Sequence, residues 1–423
     1  MRHRSMLIIM ATVLVDMIGF GIIIPLIPFY AEEMGASPFE VTLLFASFSA
    51  MQLVATPLWG RISDRHGRRP LLVAGLFASA ASHLIYGLAG TLSLLFISRM
   101  TAGAAGGTIS IAQAYVADTT TDEDRAKGMG WIGAASGLGV MLGPGIGGYF
   151  SQWGLGTPGF IAAGLAALNG VAALLFLPES RPPQAELEFE AGEAATLRGW
   201  AAAMTRFPLS LLLGIYFLAI ASFNGMISVL ALYLERAFAF DGESMGYVMM
   251  LSGAVTVLVR GAMLGPLVKR FGEVNTARFG AVTLALSIAL VPVIPHGLWI
   301  AAVAPLWAMG AGTLFPALAT MVSRATDAAS QGSVMGGSQV VGGLGRVLGP
   351  AGAGLLFQHW SKQGPFWTGA VVVVAAALLA GRIPPPSTFR RRPPSPGAGV
   401  PGAPPHAGAA PREPGETAGP ATG

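Results

Sequence analysis

Long apolar runs alternate with short polar segments along almost the entire chain. Each run holds about 20 residues, the length at which an α-helix crosses the hydrocarbon core of a bilayer. Charge clusters and turn-forming residues bound the runs. Twelve spans are predicted in this way, at residues 6–30, 41–60, 70–90, 92–117, 128–151, 159–178, 208–234, 244–265, 277–295, 298–322, 332–357 and 364–381. The pattern therefore predicts an all-α polytopic membrane protein.

The composition supports this interpretation. The 423 residues are 53% hydrophobic and only 11% charged, and the mean hydropathy is +0.62. A soluble protein carries charge at about a quarter of its positions. Because the chain contains no cysteine, disulfides and thiolate metal sites are excluded. The excess positive charge falls in loops that flank the spans, so it does not indicate nucleic-acid binding.

The start of the chain superficially resembles a secretory signal peptide, because the basic segment 1–5 precedes an apolar run. That run, however, reaches Pro28, contains Asp16 and offers no small-residue cleavage site after a short core. We therefore expect the first span to be retained.

Lysine and arginine are distributed unevenly over the predicted loops. An even number of spans places both termini on one side of the membrane. If that side is the cytoplasm, only Arg236 and Lys362 lie outside, and three arginines lie within spans, namely Arg99, Arg260 and Arg346. Positive residues concentrate in cytoplasmic loops. This distribution predicts cytoplasmic termini, and the richness in Pro, Ala, Gly and Arg is typical of a GC-rich bacterial genome, hence of a bacterial inner membrane.

The two halves of the chain repeat each other. Gly143-Pro144 in span 5 matches Gly349-Pro350 in span 11 at an offset of 206, and Gly60 and Gly67 find counterparts at an offset of 205. The other matches are Gly106/Gly312, Gly137/Gly343, Gly139/Gly345, Leu142/Leu348 and Gly148/Gly354. An internal repeat of this kind predicts two parallel six-helix halves with a substrate site between them near the bilayer midplane.

The predicted boundaries follow from this repeat. The halves occupy 1–178 and 208–382, and the polar stretch 179–207 is predicted to be the cytoplasmic linker between them. From 383 to 423 the composition is dominated by Pro, Gly and Ala, which predicts a disordered cytoplasmic tail.

The densest polar segment is Gly-Arg-Ile-Ser-Asp-Arg-His-Gly-Arg-Arg at 60–69, between two apolar runs. A segment this polar cannot lie in hydrocarbon and must be a turn at one membrane face. Its pattern G-x-x-x-D-R-x-G-R-R resembles the helix 2–3 loop of the major facilitator superfamily. The segment around Asp16 resembles the first helix of tetracycline-type drug:proton antiporters. The resemblance covers roughly residues 5–381 and implies the major facilitator fold.

Interfacial residues at and near this turn, most of them charged, form a predicted cytoplasmic latch. Its members are Gly60, Asp64, Arg65, Gly67, Arg68, Asp118 and Arg125. The residues alone fit either a network that closes the inner side in one conformer or a solvated turn that only fixes topology. The resemblance implies that Asp64 caps the start of span 11 and that Arg68 pairs with Asp118. Because Lys269 and Glu273 stand at the corresponding positions of the second half, we do not expect the network to be duplicated there.

Asp16 is the principal candidate for proton coupling. It lies about eleven residues, or ~16 Å, into the first span and hence near the bilayer centre. A carboxyl group at this depth faces a cavity or a partner and can carry a proton between the two sides. The alternative is an Asp that packs helices, bonded to a neighbouring Ser or amide. In the antiporters that the segment around Asp16 resembles, an acidic residue at this position is tied to proton or substrate coupling.

Further polar side chains within spans are candidates for proton coupling or substrate binding. Arg99 and Gln113 share a face of span 4, and the resemblance links this Arg to proton movement, although Ala102 replaces the Gln usual in the family pattern. Arg99 could instead extend outward and anchor its helix. Arg346, with Gln339, could bind an anionic substrate group, counter Asp16, or pair with a carbonyl. Asn224 in span 7 could line the cavity or only pack.

Span 5 contains Gly139-x-x-x-Gly143-Pro144-x-x-Gly147-Gly148. Glycines at this spacing let helix backbones approach closely, and proline removes a backbone donor and bends a helix. The pattern resembles the helix 5 signature associated with antiporters. We assign these residues, with Gly349 and Pro350 of span 11, a role in bending and packing rather than in binding ligands.

The sequence thus predicts a proton-coupled efflux antiporter for small amphipathic compounds, acting as a monomer without a cofactor and driven by the proton gradient. It has no phosphate-binding loop, and His83 and His296 lack metal-ligand partners at usable spacing, so neither an ATPase nor a metal site is expected. Two alternatives remain open. One is a proton symporter or facilitator for a sugar or organic anion, and the other is a non-transporting receptor on the same fold.

Overall fold

The computed structural model describes residues 2–180, 205, 207–326 and 331–383, and within these ranges the secondary structure is helical without β-strands. Fourteen α-helices are present in these ranges: α1 (Arg2–Ile23), α2 (Ile27–Glu33), α3 (Pro38–His66), α4 (Arg68–Gly87), α5 (Leu92–Ala105), α6 (Thr108–Thr119), α7 (Asp122–Phe150), α8 (Thr157–Phe176), α9 (Leu209–Phe238), α10 (Gly242–Leu258), α11 (Leu264–Leu290), α12 (Ile300–Arg324), α13 (Gln331–His359) and α14 (Gly364–Ala380). Most of the predicted linker 179–207 and tail 383–423 lies outside the described residues.

These helices form the twelve predicted spans. Ten stretches of the described chain are long and apolar enough to cross a membrane, and one of them, Gly242–Val293, is 52 residues long. That stretch contains two spans, because the backbone leaves the helical region at Gly272, with φ 77° and ψ 165°. The apolar helix α14, with 17 residues, is the twelfth.

Two spans are interrupted where the sequence predicted continuous helices. Span 1 passes from α1 to α2 through a 3₁₀ turn at Ile24–Leu26, which contains Pro25. Span 4 breaks between α5 and α6 at Gly106 and Gly107. The break brings α3 close, and the indole Nε1 of Trp59 donates to the Ala104 carbonyl at 2.5 Å. Proline and paired glycines account for both interruptions.

The turn at Gly67 recurs in the second half at Gly272. Gly67 has φ 93° and ψ 158°, and Gly272 has φ 77° and ψ 165°. Only glycine adopts this backbone conformation readily. The same residue type, 205 positions apart, therefore reverses the chain in the same way in both halves.

Glycines of α7 allow this helix to pack closely against α1, the helix that carries Asp16. A Cβ atom built on Gly139 would lie 2.5 Å from the Met17 Cβ, and one on Gly143 would lie 2.6 Å from the Ile18 carbonyl oxygen. Gly147 continues the row, four residues further on. Only hydrogen in place of a side chain permits backbones this close.

The repeat-related glycines of α13 make the equivalent contact with α9. A Cβ on Gly345 would collide with the side chain of Ile220, and one on Gly349 with the carbonyl of Ala221. α7 and α13 continue as helices through Pro144 and through the Pro350 that matches it.

A second face of the same two helices joins the halves. On α7, the Pro144 carbonyl oxygen would lie 2.5 Å from a Cβ on Gly246 of α10. On α13, a Cβ on Gly343 would lie 2.5 Å from the Leu53 Cδ1 of α3. The halves therefore meet along two seams, α7 with α10 and α13 with α3. The pseudo-symmetric arrangement that the repeat predicted is confirmed.

Candidate functional site

The two ends of the helix bundle differ. We call the end with the 60–69 turn the arginine-rich side, and the end with Glu32 and Arg236 the opposite side. On the opposite side, Arg236 Nη2 lies 2.5 Å from Glu32 Oε1, and its guanidinium lies 5.3 Å from the centre of the Phe357 ring. Phe39 N donates to Gln358 Oε1 at 3.2 Å. The ion pair and this hydrogen bond each join the two halves, so the opposite side is closed.

The seams separate toward the arginine-rich side. A Cβ atom built on Gly133 of α7, Gly261 beside α10, Gly60 of α3 or Gly336 of α13 would meet no atom of the described residues within 4 Å. Near the opposite side, by contrast, a Cβ on Gly148 would approach the backbone of α10 to 2.9 Å. The space between the halves therefore opens to the arginine-rich side.

A central cavity of about 780 Å³ lies between the halves. Aromatic rings of Phe20, Phe45 and Phe48 form part of its wall. Its polar wall includes Ser49, Gln52, Arg99, Ser110, Gln113, Asn224, Gln339 and Arg346. Five residues predicted for proton coupling or substrate binding thus lie around one cavity: Arg99, Gln113, Asn224, Gln339 and Arg346.

Asp16 lies in a smaller pocket of about 110 Å³ beside the cavity. Ser79 and Thr108 line the same pocket, and their hydroxyl groups face the Asp16 carboxyl group. Only 7% of Asp16 is exposed. Phe20 and Phe48, whose ring centres are 5.3 Å apart, line both spaces and form part of the wall that the two share. The structure therefore gives Asp16 a compartment of its own next to the place where a substrate would bind.

The side pocket contains polar residues that sequence reasoning did not assign. His83 lines it, is 5% exposed, and its Nδ1 has no hydrogen-bond partner among the described residues. Ser79, Thr108 and Gln52 were also missed. The available signal was weak, because uncharged polar side chains recur along these spans and more often bond to their own helix backbone or pack than line a pocket.

Arg99 is one of the largest fully buried side chains of the described structure. Its Nη2 donates to Ser98 Oγ at 3.0 Å, and its guanidinium lies 5.5 Å from the Tyr86 ring centre. Its Nε has no hydrogen-bond partner in the described chain. Arg99 therefore does not extend outward to anchor its helix.

Arg346 faces the cavity from the second half. Its Nε is buried and lacks a hydrogen-bond partner among the described residues. The phenol group of Tyr216, on α9, interacts electrostatically with the Arg346 guanidinium. Neither Arg346 nor Arg99 has an acidic partner there.

The predicted latch is built around Arg68. Its Nη2 lies 2.7 Å from Asp64 Oδ1, its Nε 2.9 Å from Asp118 Oδ2, and its Nη1 donates to Ser63 Oγ at 2.8 Å. The implied pairing of Arg68 with Asp118 is present. Arg125 lies exposed in the first turn of α7. The implied cap of the start of span 11 by Asp64 stays a prediction.

A carboxylate from the predicted linker joins the same network. Glu179 accepts hydrogen bonds from the backbone N of Arg68 at 2.9 Å and of Arg69 at 3.1 Å. These are free donors at the N-terminus of α4, where a negative charge is favourable. A Cβ on Gly67 would lie 2.7 Å from Glu179 Oε2, so this glycine also makes room for the carboxylate.

The expectation that the latch is not duplicated is wrong for one of its ion pairs. Glu273, the counterpart of Arg68, forms an ion pair with Arg324, whose Nη1 lies 2.8 Å from Glu273 Oε1. Arg324 lies 206 positions after Asp118. The second half therefore keeps the ion pair with its charges exchanged, which a residue-by-residue match does not reveal.

We expect Arg68→Gln to lower the free energy of unfolding by about 1–3 kcal/mol, because a buried guanidinium that satisfies two carboxylates and a hydroxyl is lost. Arg65 lies in the same turn and is exposed, so Arg65→Gln should leave stability unchanged. Thermal unfolding of the purified variants in detergent measures both. Equal melting temperatures for the two variants would contradict the contribution of Arg68.

Two six-helix halves around one cavity, open on one side and closed on the other, define a membrane transporter of the alternating-access class. The family model of the Major Facilitator Superfamily matches residues 9–350 and 212–414, and the chain belongs to this family. It is a multi-pass membrane protein with a transport function and not an enzyme.

Curated relatives are bacterial resistance proteins. The chain is 28% identical to multidrug resistance protein 2 of Bacillus subtilis, over 83% of this chain and 88% of the relative. It is 30% identical to the class D tetracycline resistance protein of Salmonella ordonez, over 86% of this chain and 93% of the relative.

Solved structures support the same fold. The nucleoside transporter NupG aligns with a TM-score of 0.77 at 14% identity, and the human organic anion transporter MFSD10 (TETRAN) with a TM-score of 0.67 at 24% identity. Each alignment covers 90% of this chain and 99% of the solved chain.

Proposed function

We propose that this protein is a proton-driven efflux antiporter that exports small amphipathic compounds by alternating access. The observation that carries the proposal is the placement of Asp16, a buried carboxyl group in a pocket that adjoins the central cavity. A carboxyl group enclosed within membrane helices is rare and marks an ion or proton pathway. The multidrug and tetracycline resistance relatives support export of such compounds.

The separate pocket gives the proposal a mechanism. Asp16 takes up a proton from the outside and releases it to the inside, while the substrate occupies the larger cavity and moves outward. Ser79 and Thr108 line the same pocket, so their hydroxyl groups are placed to donate to the carboxylate once it has lost its proton. Phe20 and Phe48 stand between proton and substrate, so that both ligands respond to the same rocking of the halves without sharing atoms.

The topology supports export as the direction of transport. We assign the arginine-rich side to the cytoplasm, because positive residues concentrate in cytoplasmic loops. Both termini are then cytoplasmic, and the open cavity faces the compartment from which an exporter loads. The ion pair of Arg236 with Glu32 would break when the opposite side opens, and the latch around Arg68 would form contacts across the inner side. The protein works as a monomer, and the proton gradient replaces any cofactor.

Energised inverted membrane vesicles test the proposal. A panel of lipophilic drugs, including tetracycline, is added while an indicator dye follows the pH difference across the vesicle membrane. An exporter that loads on the exposed cytoplasmic face should release protons from the vesicles on drug addition. Vesicles with Asp16→Asn, matched for protein amount, should release none.

A different pattern would support another transport mode. Drug-dependent proton movement in the reverse direction would replace antiport by symport. Proton release that is unchanged in Asp16→Asn would exclude the carboxylate from coupling. Silence across the panel with well-folded protein would overturn drug export, while leaving a narrow-specificity metabolite carrier on the same fold.

A further inference from the structure

We propose that the central cavity selects amphipathic anions, with the negative group held between Arg99 and Arg346 and the apolar body against Phe20, Phe45 and Phe48. The inference deepens the proposed transport function by naming the class of substrate. It rests on the charges that face the cavity and not on the direction of transport or on proton coupling.

The two arginines approach the same space from opposite halves. Arg99 lies on α5 and Arg346 on α13, and both line the 780 Å³ cavity. A group bound between them would therefore contact both moving halves at once. Ligand contacts that span the halves are the ones that bias a rocking equilibrium.

Both guanidinium groups have hydrogen-bonding capacity to spare. The Nε atoms of Arg99 and Arg346 are buried and lack hydrogen-bond partners among the described residues. Arg99 is satisfied in part by Ser98 and by the face of Tyr86. A buried cation without a counter-charge is costly, and a guanidinium matches carboxylate, sulfonate and phosphate oxygens in geometry.

No acidic residue balances these charges in the cavity wall. Among the described residues that line the cavity, there is neither Asp nor Glu. Asp16 occupies the side pocket behind Phe20 and Phe48, and the ion-paired carboxylates lie at the ends of the bundle. A cation in the cavity would meet two like charges, whereas an anion would neutralise them.

The rest of the wall fits an amphipathic molecule. Gln52, Gln113, Asn224 and Gln339 offer amide groups to further polar atoms of the ligand. The three phenylalanine rings provide apolar area for an aromatic body. The cavity therefore combines a cationic clamp with an aromatic wall, which is the complement of an aromatic acid.

The test compares three probes that share one ring system. Naphthalene-2-sulfonate is anionic, 2-naphthylmethylammonium is cationic, and 2-naphthylmethanol is neutral. Their binding to the full chain in lipid nanodiscs is measured at equilibrium, without any ion gradient. We expect the affinity for the sulfonate to be at least about tenfold higher than for either of the other probes, because its hydrogen bonds to guanidinium are charge-assisted.

Substitutions of the arginines test which side chains cause the preference for the anionic probe. Arg346→Gln should weaken sulfonate binding about 10- to 100-fold and leave the neutral probe unchanged, and Arg346→Lys should restore part of the loss. Arg260→Gln is the matched control, because Arg260 also lies in a span but does not line the cavity. Arg99→Gln tests the partner, with thermal unfolding as the check that this deeply buried site still folds.

The outcomes separate this inference from the proposed function. Equal or tighter binding of the ammonium probe, or sulfonate binding that Arg346→Gln leaves intact, would overturn the anion clamp. Proton exchange with cationic drugs in vesicles would then still support the antiporter. Sulfonate binding that depends on Arg346, with no proton exchange for any compound, would establish the clamp and refute proton antiport.

Discussion

Gly246→Trp will abolish transport and hold the protein with its opposite side open. A Cβ on Gly246 would already lie 2.5 Å from the Pro144 carbonyl oxygen, so an indole cannot enter the closed seam between α7 and α10. Core overpacking costs about 1–3 kcal/mol even for a few extra methylenes. The seam can relieve this cost by separating, because α7 and α10 belong to different halves.

The absence of cysteine makes the opening directly measurable. Cysteines introduced at Glu33 and Ala237, which are exposed beside the ion pair of the opposite side, carry spin labels for distance measurement. We expect a longer distance in Gly246→Trp than in the parent. The control is Gly261→Trp, because a Cβ on Gly261 meets nothing within 4 Å among the described residues. An unchanged distance in Gly246→Trp would contradict the assignment of this seam as the closing contact.

Gly143→Leu will destabilise the protein and eliminate transport. Gly143 of α7 packs against α1, where a Cβ would lie 2.6 Å from the Ile18 carbonyl oxygen and 2.7 Å from the Gly21 Cα. A leucine must push α1 away, and with it Asp16, two residues before Ile18. We expect a loss of about 1–3 kcal/mol in the free energy of unfolding.

Gly133→Leu is the matched substitution on the same helix. A Cβ there would meet no atom of the described residues within 4 Å, so stability should be retained. Thermal unfolding in detergent and drug-dependent proton release in vesicles measure the two effects. Leucine is a better helix former than glycine, so propensity alone gives no loss at either position. If Gly133→Leu lost as much stability as Gly143→Leu, the close packing of Gly143 would not explain the loss.

The fold was largely predictable because the bilayer imposes it. Runs of about 20 apolar residues can only be spanning helices in lipid, and the repeat of Gly143-Pro144 at Gly349-Pro350 fixed two similar halves. The break of span 4 at Gly106 and Gly107 was missed, because glycine is also common in continuous membrane helices. The structure shows the difference through the hydrogen bond that Trp59 donates to the Ala104 carbonyl at the break.

The sequence predicted how deep in the membrane the candidate residues lie, but not which space each side chain faces. Sequence position placed Asp16 near the bilayer centre, yet it could not decide that the carboxyl group lies in a side pocket rather than in the main cavity. Arg99 and Arg346 were found because buried arginines are rare. Whether they share a space depends on how the halves face each other, which no residue pattern encodes.

The second ion pair shows what matching by residue type overlooks. Glu273 and Arg324 reproduce the contact of Arg68 and Asp118 with opposite signs. A comparison of single positions reads this as a lost motif. A comparison of pairs of positions for opposite charge would have found it, because the attraction depends on the product of the two charges and not on which residue carries which sign.

The measurement that tests the central claim most directly compares two modes of transport by Asp16→Asn in proteoliposomes. A compound found to release protons in the vesicle assay is followed as gradient-driven accumulation and as exchange of labelled for unlabelled compound without a gradient. Because the carboxamide cannot exchange a proton but leaves the central cavity and the seams unaltered, accumulation should be lost while exchange persists. Persistence of accumulation, or loss of exchange together with accumulation in a folded variant, would contradict a proton-carrying role for Asp16 that is separate from substrate binding.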